Sequence, residues 1–187
     1  MDKFSKLSKK KPIKTEDKLL HDLEYMKIYS RNNWIYVKES DSVCVLPIII
    51  EDEEILLRME VIPSFQSRDS QDFHLTCISG TIEDNENPKK CLVRELKEEA
   101  GIILNDHFEF DFYDVLYKSK SQSSKFHLCL LPLHIYEFTE GVATGDGSLI
   151  EKESKTVKVN INNIDKLFPS DMVTKLLLEE CKKYLKK

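Results

Sequence analysis

Residues 87–101 read NPKKCLVRELKEEAG, a segment whose two ends favour one well-defined α-helix. Asn87 is a preferred N-cap residue, and Pro88 suits the first helical position, where no backbone N–H is needed. Gly101 can adopt the left-handed conformation that ends a helix. The segment therefore predicts a helix of about three and a half turns.

The predicted helix has an acidic face and an apolar face. At roughly 100° per residue, the acidic face consists of Glu95, Glu98 and Glu99. A separate arc that faces a core consists of Val93, Leu96 and Ala100. Carboxylates this close repel one another, by roughly 0.2–0.5 kcal/mol for each pair four residues apart. Clustered oxygen ligands suit Mg²⁺ or Mn²⁺, which also bind substrate phosphates, so the acidic face predicts a divalent-metal site.

A solvated, charged surface helix is the alternative interpretation of the same residues. Such a helix does not require Gly80 and Glu86 at fixed distances ahead of it. It also does not require Arg94, which is placed to pair with Glu98 one turn later and with Glu86 across the preceding loop. The combination favours a functional site over a plain surface helix.

Composition limits the class of protein. The 187 residues are 41% hydrophobic and 33% charged, which suits one compact domain with a sizeable core. The net charge of −5 gives no general attraction for nucleic acid. Neither a membrane span nor a secretory signal is visible, so we expect a cytoplasmic protein. The five cysteines lack a C-x-x-C pair and are expected to be reduced core residues.

The first 32 residues differ in composition from the rest, and we expect residues 1–32 to form a flexible Lys-rich tail and an N-terminal arm ahead of the main domain, residues 33–187. Residues 1–14 contain six lysines and one aspartate, which is typical of a flexible tail; an arm that holds RNA is the functional alternative. In residues 15–31, four apolar residues at near-helical spacing fit either a short helix or an irregular arm: Leu19, Leu20, Leu23 and Met26.

From Trp34 onward the apolar period changes to two, which predicts strands in WIYVKE, SVCVLPIII, EILLRMEVI, FHLTCIS, HFEFDFYDVLYK, KFHLCLLPLHIYEF and TVKVNI. Residues 65–72 are expected to form a loop. The segment SDMVTKLLLEECKKYL predicts an amphipathic helix that begins at Ser170 or Asp171. Mixed strands with two helices indicate an α/β sandwich of two or three layers.

Residues 80–102, GTIEDNENPKKCLVRELKEEAGI, match every position of the pattern G-x5-E-x7-R-E-U-x-E-E-x-G-U, where U is a bulky aliphatic residue. This pattern resembles the signature of the Nudix hydrolases. The resemblance implies an α/β (α+β) fold, a Nudix-like α/β/α sandwich with a mixed β-sheet. It also implies metal-dependent hydrolysis of a nucleoside diphosphate linked to another moiety, with water attacking a phosphorus of the diphosphate.

The resemblance assigns roles to the motif residues. It implies that Mg²⁺, or Mn²⁺ as an alternative, is bound by the carboxylates of Glu95, Glu98 and Glu99 and by the backbone carbonyl of Gly80. It further implies that Glu86 pairs with Arg94 to hold the loop, and that Glu95, Glu98, Arg94 and Glu86 all belong to the catalytic machinery.

A general base is also needed, and members of the family take it either from the motif or from a loop near the C-terminal strand. In this chain the loop before TVKVNI offers Glu140, Asp146, Glu151 and Glu153. We prefer Glu153, because it is in phase with Val157 and Val159 on the following strand.

The strands before the motif resemble those of ADP-ribose and ADP-sugar pyrophosphatases, which makes ADP-ribose or another nucleotide sugar the favoured substrate. Arg58 and Arg68 are candidates to contact its phosphates, and Trp34 and Tyr117 are candidates to stack on its base. The same branch of the family suggests a homodimer in which WIYV and the N-terminal arm are exchanged between subunits. The alternatives are a pyrophosphohydrolase of RNA 5′ ends, an enzyme that cleans up nucleoside triphosphates, and a noncatalytic nucleotide-binding module.

Overall fold

The computed structural model describes residues 16–23, 25–51, 54–63, 73–145, 154–167, 169 and 171–186. The expected Lys-rich tail at residues 1–14 and the expected loop at residues 65–72 lie outside this part. The strands are β1 Lys18–Asp22, β2 Met26–Arg31, β3 Trp34–Glu39, β4 Ser42–Glu51, β5 Glu54–Pro63, β6 Phe73–Thr76, β7 Ile78–Thr81, β8 Ile102–Leu104, β9 Asp114–Tyr117, β10 Lys125–His134, β11 Phe138–Glu140 and β12 Lys155–Asn160. The α-helices are α1 Pro88–Ala100 and α2 Met172–Tyr184, and a 3-10 helix spans Ile161–Lys166.

A mixed sheet forms the centre of the fold, with the strand order β12-β5-β4-β10-β9. Strand β4 pairs in parallel with β10 and antiparallel with β5, and β7 and β6 extend the sheet beside β4 and β5 respectively. Strands β8 and β11 form a separate antiparallel pair. The predicted mixed sheet is therefore confirmed.

The two helices cover opposite faces of this sheet. Along β4, alternate side chains enter different cores: Val43 and Val45 pack with α1 residues, and Cys44 and Leu46 pack with α2 residues. Strand β4 is buried on both faces, which explains its continuous apolar run. The arrangement is the expected α/β/α sandwich.

The signals at the ends of α1 act as the sequence predicts. The Asn87 side chain accepts a hydrogen bond from Lys90 N at 2.9 Å, Pro88 opens the helix, and Gly101 ends it with φ of 64°. The predicted apolar face needs one correction. Val93 is exposed, and Leu92 is fully buried in the core next to Leu96.

The N-terminal arm is neither a helix nor irregular between residues 18 and 31, because β1, β2 and β3 form an antiparallel sheet there. Asn32 and Asn33 both have positive φ, 51° and 64°, as the two central residues of a type I′ hairpin turn require. The turn aligns Arg31 with Trp34 and fixes the register of β2 on β3. Backbone pairing across this hairpin therefore decides the structure of the arm.

At the other end of the chain, the predicted amphipathic helix is α2. Asp171 caps it by accepting from Thr174 N at 2.7 Å, and Leu177 and Cys181 face the core. All five cysteines are buried and free, which confirms the expected reduced core residues. Of the helices in the described ranges, none is both long and apolar enough to cross a membrane.

Candidate functional site

Gly80 lies in β7 directly against the side chain of Glu95. A Cβ atom added to Gly80 would lie 1.7 Å from Glu95 Oε1, so any other residue at this position would force the Glu95 side chain to move. Position 80 therefore has to be glycine for the Glu95 carboxylate to lie between the helix and the sheet. The packing explains why a glycine fifteen residues ahead of Glu95 belongs to the pattern.

Arg94 is the cationic centre of the site. Its Nη1 donates to Glu95 Oε1 at 2.7 Å and to Glu98 Oε2 at 3.1 Å. Its Nε and Nη2 donate to the two oxygens of Glu86 at 3.1 and 3.0 Å, in a bidentate pair. Arg94 Nη2 also donates to the backbone carbonyl of Thr81 at 3.1 Å. One guanidinium thus joins the helix, the loop before it and the end of β7.

The loop between β7 and α1 is held by Glu86. Besides pairing with Arg94, its carboxylate accepts from Glu83 N at 3.1 Å. The Arg94 guanidinium lowers the pKa of Glu86, and so keeps it ionised at neutral pH. The two interactions of Arg94 predicted from sequence, with Glu98 and with Glu86, are both present.

Glu95 has an unusual protonation equilibrium because it is buried. Only 8% of its side chain is exposed. Loss of hydration raises the pKa of Glu95 to about 7, although Arg94 opposes this change. The carboxyl group is therefore partly protonated at neutral pH when no metal is bound.

The C-terminal end of α1, which carries Glu98 and Glu99, is tied to three other elements through its backbone carbonyls. Such carbonyls have no partner within a helix and need donors from elsewhere. The donors come from β5, β12 and the segment after β11. The bonds are Thr144 N and Gly145 N to Glu98 O at 2.9 and 3.0 Å, Thr156 Oγ1 to Glu99 O, Arg58 Nη1 to Ala100 O at 2.9 Å, and Gly141 N to Gly101 O at 2.7 Å.

A pocket opens at this end of the helix. Its carboxylates are Glu98 and Glu99 from α1 and Glu60 from β5, which is itself buried. The rest of the lining is Ala143, Thr144, Gly145, Ser154, Lys155 and Thr156. Sequence analysis missed Glu60, although charged residues at positions 58 and 60 of the otherwise apolar strand EILLRMEVI were a usable signal.

The donor set at the pocket fits a hard divalent cation, since carboxylate oxygens are the ligands that Mg²⁺ and Mn²⁺ prefer. In the described ranges, no three His, Cys, Asp or Glu side chains already converge as a metal-binding group. Arg94 instead supplies the positive charge next to Glu95 and Glu98. A cation bound at Glu98 would neutralise part of the negative charge that Arg94 neutralises in the metal-free protein.

The residues predicted to contact the substrate lie in different parts of the fold. Arg58 is buried and bonds to Ala100 O and Glu140. Trp34 lies exposed in the N-terminal sheet. Tyr117 is exposed at the end of β9, where its ring centroid lies 5.4 Å from Lys125 Nζ. These three are absent from the described lining of the pocket.

Two further candidates, Arg68 and Glu153, lie outside the described residues. Val157 and Val159, the strand residues with which Glu153 is predicted to be in phase, pack in the core beneath α2. Thr156, one residue out of phase, is the β12 residue that contacts α1.

Comparison with known proteins agrees with this geometry. A family model described as the NUDIX domain matches residues 38–174. The fold is similar to that of a solved structure described as an ADP compounds hydrolase, with a TM-score of 0.60 and 17% sequence identity, over 91% of this chain and 92% of that one. A search of curated proteins finds no match.

We predict that Glu95→Gln stabilises the metal-free protein above neutral pH. The native pKa of Glu95 is about 7 and its ordinary value is 4.5, so between these values the native state binds more protons than the unfolded state. The free energy of unfolding therefore falls as pH rises through this window. Urea unfolding with EDTA should show that the stability of Glu95→Gln relative to wild type is greater at pH 8 than at pH 5 by roughly 1–3 kcal/mol.

Glu109→Gln, which changes an exposed carboxylate outside the site, is the control and should show no such dependence. A stability difference between Glu95→Gln and wild type that is the same at pH 5 and pH 8 would contradict the assignment of a raised pKa to Glu95.

Proposed function

Because the chain belongs to the Nudix family of pyrophosphohydrolases, we propose that it hydrolyses a nucleoside diphosphate linked to another moiety, with ADP-ribose or another nucleotide sugar favoured as the substrate. One observation carries the proposal: Glu98 and Glu99 of the motif helix line a pocket together with the buried Glu60. The fold shared with an ADP compounds hydrolase is a reason to test ADP derivatives first.

Members of the family typically depend on a divalent metal. We propose that Glu98 and Glu99 hold Mg²⁺ or Mn²⁺ here, together with Glu95 and the backbone carbonyl of Gly80. A bound cation supplies two effects, a lower pKa of a coordinated water and neutralisation of the phosphate charge. Glu86 and Arg94 keep the loop and the helix in register around these ligands.

Two other side chains of the pocket suit the reaction. Lys155 is an exposed cation in the lining and can attract a diphosphate oxygen. Glu60 is a carboxylate that approaches the pocket from the strand opposite the helix, and we propose it as the acceptor of the proton of the attacking water. Glu153 is the competing candidate on the loop before β12.

We predict that phosphatase-coupled phosphate release will detect turnover in a panel of ADP-ribose, other sugar nucleotides, dinucleoside polyphosphates, nucleoside triphosphates and capped RNA, with Mg²⁺ or Mn²⁺. ADP-ribose or another sugar nucleotide should give the highest kcat/KM. Glu98→Gln should lower kcat by about 100-fold or more, because it removes a charged metal ligand. Glu109→Gln should leave kcat unchanged.

Two further variants separate the candidate bases. If Glu60 accepts the proton, Glu60→Gln should lower kcat by roughly 10²–10⁴-fold and remove the acidic limb of the pH–rate profile, whereas Glu153→Gln retains it. The reverse result would assign the base to Glu153. Turnover of capped RNA alone would replace the sugar-nucleotide proposal, and metal binding without turnover of any compound would favour a nucleotide-binding module.

We also propose that the protein is a homodimer joined through its N-terminal sheet. Strands β1 to β3 expose apolar side chains that include Leu19, Trp34 and Ile35, with 46%, 58% and 59% of their surfaces accessible. Within the described residues β1 is an edge strand, and its outer backbone groups can pair with a second chain. A second copy of the chain supplies matching apolar strands.

Light scattering at micromolar concentration should therefore give twice the 21.9 kDa mass of the chain. Trp34→Glu should produce the monomer, because a charge is costly in a buried apolar interface. A monomeric wild-type protein would rule out the dimer.

A further inference from the structure

We propose that Arg58 is a positioning residue for the metal-binding end of α1, and that it does not contact the substrate. The inference rests on the proposed function, because it concerns the same carboxylates. It reverses the role that the sequence suggests for Arg58. Three observations carry it: the contacts of the guanidinium, its burial, and the place of Ala100 in the helix.

Arg58 joins the end of α1 to β11. Its Nη1 donates to Ala100 O at 2.9 Å, and its Nη2 donates to Glu140 Oε1 at 2.6 Å. Lys158, the neighbour of Arg58 across the β5–β12 ladder, donates to the same Glu140 oxygen from 2.9 Å. Burial alone would raise the pKa of Glu140, but the two cations together lower it, so the carboxylate is ionised at neutral pH and can anchor Arg58.

The hydrogen bond from Arg58 to Ala100 also affects the site, because Ala100 lies next to the proposed metal ligands. Ala100 directly follows Glu99 and lies two residues after Glu98, so a shift of its carbonyl moves the backbone that carries both carboxylates. The C-terminal end of a helix carries partial negative charge, which a guanidinium stabilises. Removing Arg58 would leave a buried carbonyl without this donor and a carboxylate, Glu140, without its shortest ion pair.

The same observations argue against contact with a phosphate. Only 8% of the Arg58 side chain is exposed. Its Nη1 and Nη2 each donate to a protein oxygen, and its charge is matched by Glu140. Its Nε has no partner among the described residues, but it is buried away from the surface. Arg58 is also absent from the described lining of the pocket, whereas Glu60, two residues further along the same face of β5, is part of it.

The test compares Arg58→Met with Lys158→Met in the full chain. The two substitutions remove cations on adjacent strands that share Glu140, but only Arg58 reaches the helix. Mn²⁺ affinity, measured from the electron paramagnetic resonance signal of free Mn²⁺, should weaken about 10- to 100-fold in Arg58→Met, as is usual when a residue that orients ligands is lost. The affinity of Lys158→Met should stay within about twofold of wild type.

Turnover of ADP-ribose provides a second readout. Arg58→Met should lower kcat and leave KM little changed, because the residue acts through the helix. If Arg58→Met does not fold, Arg58→Lys takes its place, since it keeps the charge and can reach only one of the two oxygens. The expected result for Arg58→Lys is a smaller loss of Mn²⁺ affinity in the same direction.

The outcomes distinguish this inference from the proposed function. If wild type binds Mn²⁺ and the folded Arg58 variant binds it equally well, the positioning role is wrong and the proposed function stands. A raised KM with unchanged Mn²⁺ affinity would make Arg58 a substrate contact. If wild type does not bind Mn²⁺, both proposals fail.

Discussion

Charge compensation within α1 is the interaction on which the site depends. The helix carries three carboxylates within about one turn, and Arg94 contacts two of them while it pairs with Glu86 in the preceding loop. The guanidinium of Arg94 thereby offsets the repulsion among these carboxylates and holds the loop against the helix. Glu95 gains further stabilisation from proton uptake, because its burial raises its pKa to about 7. A divalent cation bound at the proposed site would compete with the same protons and the same guanidinium.

The end of α1 is fixed by tertiary contacts. Backbone carbonyls that the helix cannot satisfy accept from Arg58, from Thr156 and from the segment 141–145. Each of these donors belongs to a different part of the sheet or to its connections. The sheet therefore determines where Glu98 and Glu99 lie, and the helix determines their spacing. The position and the spacing of Glu98 and Glu99 would both have to be correct for a cation and a diphosphate to bind in one pocket.

Local sequence predicted the features that depend on local physics. The cap at Asn87, the helix end at Gly101 and the pairing of Arg94 with Glu98 each involve residues within a few positions of one another. The place of Glu60 in the pocket and the burial of Arg58 depend on strand pairing across the sheet, which periodicity does not reveal. Residues 18–31 were ambiguous because their apolar spacing also fits a helix. The adjacent residues Asn32 and Asn33 indicate a hairpin turn, because both adopt the positive φ that such a turn requires.

Anomalous diffraction from crystals of the protein grown with Mn²⁺ would locate the cation without reference to a substrate. We predict a Mn²⁺ peak within coordination distance of carboxylate oxygens of Glu98 and Glu99. We also predict that Arg94 keeps its bidentate pair with Glu86 and moves away from Glu98. A Mn²⁺ peak elsewhere, or a site without Mn²⁺ in which Arg94 still lies between Glu95 and Glu98, would contradict the assignment of α1 as the metal-binding helix.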